Sequence, residues 1–314
     1  MGLYLGILPS VYADSNTLKK ATKHIEIGNT HFEKGRYDWA IREYKKALKD
    51  NPDYEQAYFN IARSYEKLKD WAQAIEFYQH AASLEKSNAS MAHNNLALIY
   101  EKQAKLDEAV EEYKKAIEKD SSFAYAYNNA GNIYFQQGKY ELALGYFRDA
   151  VKYDPKSVYG YSNLGNTLLK LNMLDEAVEQ YNKALEIDPE LPYVLNNIGN
   201  AYVLKGLSDF ALVYLKKSVT FDSHNPYAWD NMGDAYMQLK KEKEALACYK
   251  KALEAEPNFF IVYYKLGKMY QTENPVLAIE NFQKFLEKSE NTNLKNDVND
   301  IIQDLKKQIK VEEK

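Results

Sequence analysis

The sequence predicts an all-α protein, an α-solenoid of about eight helix–turn–helix units stacked into a right-handed superhelix and closed by a C-terminal capping helix. Three observations predict it. Gly131, Gly165, Gly199, Gly233 and Gly267 recur every 34 residues, and Pro155, Pro189 and Pro257 fall on the same period. Glycine and proline are otherwise scarce, at 13 and 8 of 314 residues, so the few helix breakers mark boundaries. Small and aromatic residues also return at fixed places within each period, which is the mark of stacked two-helix repeats.

Each element follows from that register. With residues 21–52 as the first repeat, later repeats begin near Glu55, Ser90, Ala124, Val158, Pro192, Pro226 and Phe260, with one residue extra near Asn88 and one missing near Pro275. In the first helix, position 8 is always small (Gly28, Ala62, Ala97 and the five periodic glycines) and position 11 is usually tyrosine, as at Tyr65 and Tyr202. In the second helix, position 20 is alanine from Ala40 to Ala245, position 24 is aromatic or leucine (Tyr44, Tyr78, Leu215, Tyr249), and position 27 is small from Ala47 to Ala252. Positions 4, 7, 8 and 11 share one helical stripe, and positions 20, 24 and 27 share another, so small residues let two helices approach while rings fill the space around them. The turn between them carries Gly35, Gly138 or Gly206, suited to a left-handed helix end. Proline at position 32 stops the second helix in four repeats.

Both ends differ from this pattern. Phe285 stands where the last repeat should be small, which predicts an unlike neighbour. Leu294, Val298, Ile301, Ile302, Leu305 and Ile309 form an apolar helical stripe, so about 293–310 is read as a cap over the last core face. Residues 1–13, MGLYLGILPSVYA, hold a short apolar run with Val11 and Ala13 at signal-peptidase spacing but no basic start. The chain is exported or periplasmic if this leader is a signal remnant, and cytoplasmic otherwise. The organisation is therefore 1–20 leader and lead-in, 21–288 repeat array, 289–314 cap and tail.

The units resemble tetratricopeptide repeats, from residue 21 to about 288. Departures are local: His24 replaces a large apolar residue, and Lys86, Ser121 and Ser223 replace proline. The resemblance implies that first helices line a concave inner surface. The basic clamp of the chaperone-tail version is absent from the first three repeats, where Ile25, Met91 and Asn95 stand in its place.

On that inner surface, position 6 is Asn60, Asn95, Asn129, Asn163, Asn197 and Asn231, and position 9 adds Asn29, Asn132, Asn166 and Asn200, then Asp234. Asparagine is a poor helix former, and its repeated use at one register points to a functional surface. Its amide can donate to a carbonyl and accept from an N–H of one peptide unit, so the rows are read as a grip on an extended chain. On that reading Asn→Ala changes leave stability intact or slightly raise it. Hydrogen bonding between neighbouring repeats is the other reading. The arrangement is similar to the asparagine ladder in the repeat arm of O-linked N-acetylglucosamine transferase, which implies a peptide along the groove and not glycosyl transfer. Tyr125, Tyr159, Tyr193 and Tyr227 at position 2 are read either as groove-wall contacts or as packing on the preceding helix. Lys265 and Lys268 hold a ligand carboxylate or are solvated charges.

Other chemistry is not predicted. The 41 basic and 45 acidic residues are interleaved, with no basic stripe for nucleic acid. No apolar run approaches a membrane span. The glycines form no phosphate loop, and the five histidines have no metal-binding spacing, so no catalytic residue, metal or cofactor is assigned. His24 and His31 are read as half-buried packing residues with no carboxylate in register, and Cys248 as inert. The predicted function is a non-catalytic scaffold or adaptor binding an extended segment of a partner protein. The alternatives are a structural subunit assembled through its convex face or termini, and a regulatory subunit of an enzyme or secretion complex.

Overall fold

The computed structural model describes residues 15–289 and 292–312, all of whose regular structure is α-helical. It divides into two compact units, Met1–Pro155 and Lys156–Lys314. The leader reading lies outside the described residues.

The N-terminal unit holds four hairpins. They are α1 (Ser15–Glu33) with α2 (Tyr37–Asp50), α3 (Glu55–Lys67) with α4 (Trp71–Ser83), α5 (Ala89–Lys102) with α6 (Leu106–Lys119), and α7 (Ala124–Gln136) with α8 (Tyr140–Tyr153). The C-terminal unit continues the series with α9 (Val158–Lys170) on α10 (Leu174–Ile187), α11 (Pro192–Leu204) on α12 (Ser208–Phe221), α13 (Pro226–Gln238) on α14 (Glu242–Ala255), and α15 (Phe260–Tyr270) on α16 (Pro275–Lys288). The last helix, α17 (Thr292–Glu312), packs on α16.

The close approach inside each hairpin has the cause the sequence suggests. The position-8 residue faces the position-24 ring: a Cβ placed on Gly165 would lie 2.5 Å from Tyr181, and one on Gly131 would lie 2.8 Å from Phe147. The alanines at position 20, from Ala40 to Ala245, are fully buried, as are the position-24 rings Tyr44, Tyr78, Tyr113, Phe147, Tyr181 and Tyr249. Ser218 replaces alanine at position 27 without penalty because its hydroxyl donates to the Pro192 carbonyl at 2.8 Å. Phe285, the large residue in that series, is buried with Val298, Ile302 and Leu305 of α17, which is why the terminal hairpin can hold it.

The turns show a regularity that glycine alone does not reveal. Gly35, Lys69, Ala104, Gly138, Asn172, Gly206 and Lys240 all have φ between 58° and 72°. Each ends a first helix with the same paired bonds, as in Gly35 N–H to Phe32 O and Arg36 N–H to His31 O, both 2.9 Å. The left-handed residue is therefore set by the helix ending rather than by glycine. The extra residue near Asn88 is absorbed by Glu55, a buried carboxylate that accepts from the Asn88 backbone N–H at 2.9 Å and from its side-chain amide at 3.2 Å.

Candidate functional site

The first helices carry the candidate residues, and the asparagines among them are bonded between repeats. In the N-terminal unit, Asn29 Oδ1 accepts from the Tyr44 hydroxyl at 2.8 Å and from Asn60 Nδ2 at 3.2 Å. Asn95 Nδ2 donates to the Tyr78 hydroxyl at 3.0 Å, and Asn129 Nδ2 donates to Asn94 Oδ1 at 3.4 Å. Asn132 is engaged as well. In the C-terminal unit, Asn166 Oδ1 accepts from the Tyr181 hydroxyl at 2.7 Å and from Asn197 Nδ2 at 2.9 Å, and Asn231 Nδ2 donates to Asn196 Oδ1 at 2.9 Å. Asn163 also has a partner. The asparagine–asparagine bonds join one first helix to the next, while the tyrosine bonds tie first helices to second helices.

One member of the rows differs. Asn200 makes no side-chain hydrogen bond among the described residues, although it is only half-buried. The cause is local. Position 24 of its repeat is Leu215, which has no hydroxyl to donate, and Asn231 turns instead to Asn196.

Burial of the position-24 phenols keeps them neutral donors. It pushes Tyr44 up to about 12 and raises Tyr181 as well. The last step of the ladder changes from amide to charge: Asp234 accepts from the Tyr249 hydroxyl at 2.7 Å, and Lys265 Nζ reaches Asp230 at 2.6 Å and Asp234 at 2.7 Å. Burial raises the pKa of Asp230, with Lys265 opposing that rise and Asp234 adding to it. The ammonium of Lys265 is thus shared between two carboxylates of this chain. Lys268 is exposed and lines, with Lys265, Tyr249, Tyr264 and Met269, a cleft of about 620 Å³.

The position-2 tyrosines stand out from the helices. Tyr125 is 69% exposed, and in the C-terminal unit Tyr159, Tyr193 and Tyr227 are 74%, 37% and 58% exposed. Their contacts are few: the Tyr193 hydroxyl lies 3.3 Å from Ser162 Oγ, Tyr227 meets Phe259 edge-on at 5.0 Å, and Tyr125 is 6.2 Å from Phe123. Large rings this exposed, in one register of successive helices, offer flat apolar area with a donor at the tip.

Three features escape the sequence pattern. The first is a carboxylate opposite position 4: His24 Nδ1 lies 2.7 Å from Glu43, and His93 Nδ1 lies 2.6 Å from Glu112. His24 is half-buried, and its partner is on the second helix, 19 residues later. Lys46 and Lys115 bond the same two carboxylates at 2.6 and 2.7 Å. Burial raises the pKa of Glu112, but the bonds from His93 and Lys115 outweigh it and hold the carboxyl below its ordinary value. The second is the bond from the position-24 tyrosine to the position-9 side chain across the first, fifth and seventh hairpins, to Asn29, Asn166 and Asp234, signalled only by a constant 15-residue spacing. The third is the sharing of Lys265 by two aspartates.

Cys248 is buried, and burial pushes its thiol up to about 11, which leaves little thiolate near neutrality. Among the described residues, no three His, Cys, Asp or Glu side chains stand together as a metal site requires, and no helix is long and apolar enough to cross a membrane.

Comparison with known proteins follows the same lines. Residues 11–191 match the family described as the cilia and flagella-associated protein 70 C-terminal domain, and residues 233–273 match the TPR repeat family. Over 103 residues, 31% of this chain, the sequence is 27% identical to the Hsp70-Hsp90 organising protein of Plasmodium falciparum (isolate 3D7); the match spans 18% of that protein's length. Among solved structures, the chain is similar to YrrB, described as a TPR protein with an unusual peptide-binding site, with a TM-score of 0.54 and 26% identity over 61% of this chain and 98% of that one. It also shares its fold with a chain of the APC/C hetero-tetramer Cut9–Hcn1, with a TM-score of 0.59 and 19% identity over 92% of this chain and 57% of that one.

Proposed function

Because this chain is a tetratricopeptide-repeat protein, belonging to the family described as the cilia and flagella-associated protein 70 C-terminal domain, we propose that it is a protein-interaction adaptor without catalytic activity of its own, and that an extended segment of a partner lies along its first helices. The observation that carries this reading is the exposed row Tyr159, Tyr193 and Tyr227. An exposed ring provides a partner with a rigid surface of low conformational entropy. The description of YrrB as having a peptide-binding site, and the likeness to an organising protein, support the class of ligand. In this reading the asparagine rows Asn60, Asn95, Asn129, Asn132, Asn163, Asn166, Asn197 and Asn231 hold the groove wall in shape, and their remaining donors face the ligand. Lys268 receives a ligand carboxylate at the far cleft.

The test is peptide capture from a random-sequence display library by the full chain. Replacing Tyr159, Tyr193 and Tyr227 together by alanine should weaken the captured peptides by about 2–4 kcal/mol if the ring contributions add, with the helical content retained. Capture that survives the triple change would sink the groove reading. A second reading has its own observation: Phe210 and Val213 of α12 are exposed at 59% and 53%, and Leu204 and Leu207 just before that helix are exposed as well. Exposed apolar patches mark docking surfaces. Partner binding lost on Phe210→Glu and kept in the tyrosine variant would favour assembly through the outer helices.

A further inference from the structure

We propose that the groove of the C-terminal unit takes a proline-rich segment in the polyproline II conformation, one proline against each of Tyr159, Tyr193 and Tyr227. This rests on the groove reading and names its ligand class. The argument starts from spacing. Helices α9, α11 and α13 are direct neighbours. They are pinned by the Asn197–Asn166 and Asn231–Asn196 bonds, both 2.9 Å, and by the 3.3 Å approach of Tyr193 to Ser162. Packed helices lie about 8–10 Å apart, so rings at one register of successive helices repeat at about that distance. One turn of polyproline II is three residues at about 3.1 Å each, or about 9.3 Å. Same-face side chains of an extended strand repeat at only about 6.6–6.8 Å, and a turn of α-helix advances about 5.4 Å. Of the three regular conformations, polyproline II alone places one side chain on each ring.

Charge points the same way. The helix α11 carries no Asp, Glu, Lys or Arg, and α9 carries none before its final residue, Lys170. On α13, Lys265 pairs with both Asp230 and Asp234 and offsets one of their two charges. A wall this poor in charge favours a neutral ligand over a strongly acidic or basic one. The rings are also braced before any ligand arrives, Tyr227 by Phe259 at 5.0 Å and Tyr193 by Ser162. A stiff ring meeting a ligand that is already stiff loses little entropy on either side.

The experiment is calorimetric titration of the full chain with dodecaproline, and with a twelve-residue Gly-Ser repeat as control. Dodecaproline should bind and the Gly-Ser peptide should not. Each of Tyr159→Ala, Tyr193→Ala and Tyr227→Ala should weaken dodecaproline about two- to tenfold, and each Tyr→Phe should keep most of the affinity. Raising the salt should change little, because the ligand carries no charge along the contact. Dodecaproline that binds no better than the Gly-Ser control, or as well to the triple alanine variant, overturns the inference. If the display library still yields peptides that need the three tyrosines but lack proline at three-residue spacing, the groove stands and the polyproline assignment falls. If neither probe binds, both fall.

Discussion

Asn166 and Asn200 occupy the same place in consecutive repeats and should respond to alanine with opposite sign. Asn166 holds two bonds, from Tyr181 at 2.7 Å and from Asn197 at 2.9 Å, and the Tyr181 ring is fully buried. Removing the acceptor leaves a buried phenol unpaired, which costs about 1–3 kcal/mol. The better helix propensity of alanine returns only several tenths of a kcal/mol. Asn166→Ala should therefore lower the melting temperature. Asn200 has no bond to lose, so Asn200→Ala should leave stability unchanged or raise it slightly. Equal melting of the two variants would show that the ladder bonds contribute nothing net. The sequence expectation of unchanged or improved stability thus survives at Asn200 and reverses at Asn166. The difference traces to Leu215, whose lack of a hydroxyl is visible in the sequence only once the 15-residue pairing of Tyr181 with Asn166 is known.

At the scale of the element, two hairpins are clasped on the flank as well as through the core. In the first and third hairpins His24 and His93 reach Glu43 and Glu112, and a lysine one turn on bonds the same carboxylate. Burial disfavours the charged form of Glu112, yet His93 and Lys115 hold its pKa below the ordinary value, and Glu43 is lowered in the same way by Lys46 and His24. A carboxyl whose folded pKa is depressed contributes stability that is complete above its unfolded pKa, about 4.3, and is lost as pH falls through the folded value. The loss therefore begins just below pH ~5 and continues downward. Replacing both glutamates by glutamine should flatten the acid limb of a melting-temperature profile in that window. An identical acid limb in the double variant would remove the clasp. The helix pairs themselves are legible in the sequence because packing repeats at fixed positions, as with Gly165 against Tyr181. The clasp is not, because Glu43 and Glu112 look like any other charge on a solvated face until the second helix is laid against the first. Turns are legible only where glycine stands, at Gly35, Gly138 and Gly206; Lys69, Ala104, Asn172 and Lys240 adopt the same backbone because the helix ending imposes it.

At the scale of the whole molecule, what matters is that contacts run between sequence neighbours. Within the C-terminal unit, α9 packs on α10 and α11, α12 on α11 and α13, and α16 on α15 and α17. A chain built this way transmits damage poorly, because each interface involves only adjacent repeats. Gly165→Leu tests this directly. Even a Cβ at that position would lie 2.5 Å from Tyr181 Cε1, so the larger side chain must push α9 and α10 apart, at a cost of about 1–3 kcal/mol. Amide hydrogen exchange should then rise in α9, α10 and the facing part of α11, while α15, α16 and α17 keep their wild-type protection. The terminal helices are a fair reference because Phe285, Val298, Ile302 and Leu305 form a core of their own at that end. Protection lost evenly from α9 to α17 would mean that the C-terminal unit unfolds as one cooperative body. The repeats would then be a feature of sequence and geometry rather than of energetics, and a ligand held across α9, α11 and α13 would stabilise the unit as a whole instead of the hairpins it touches.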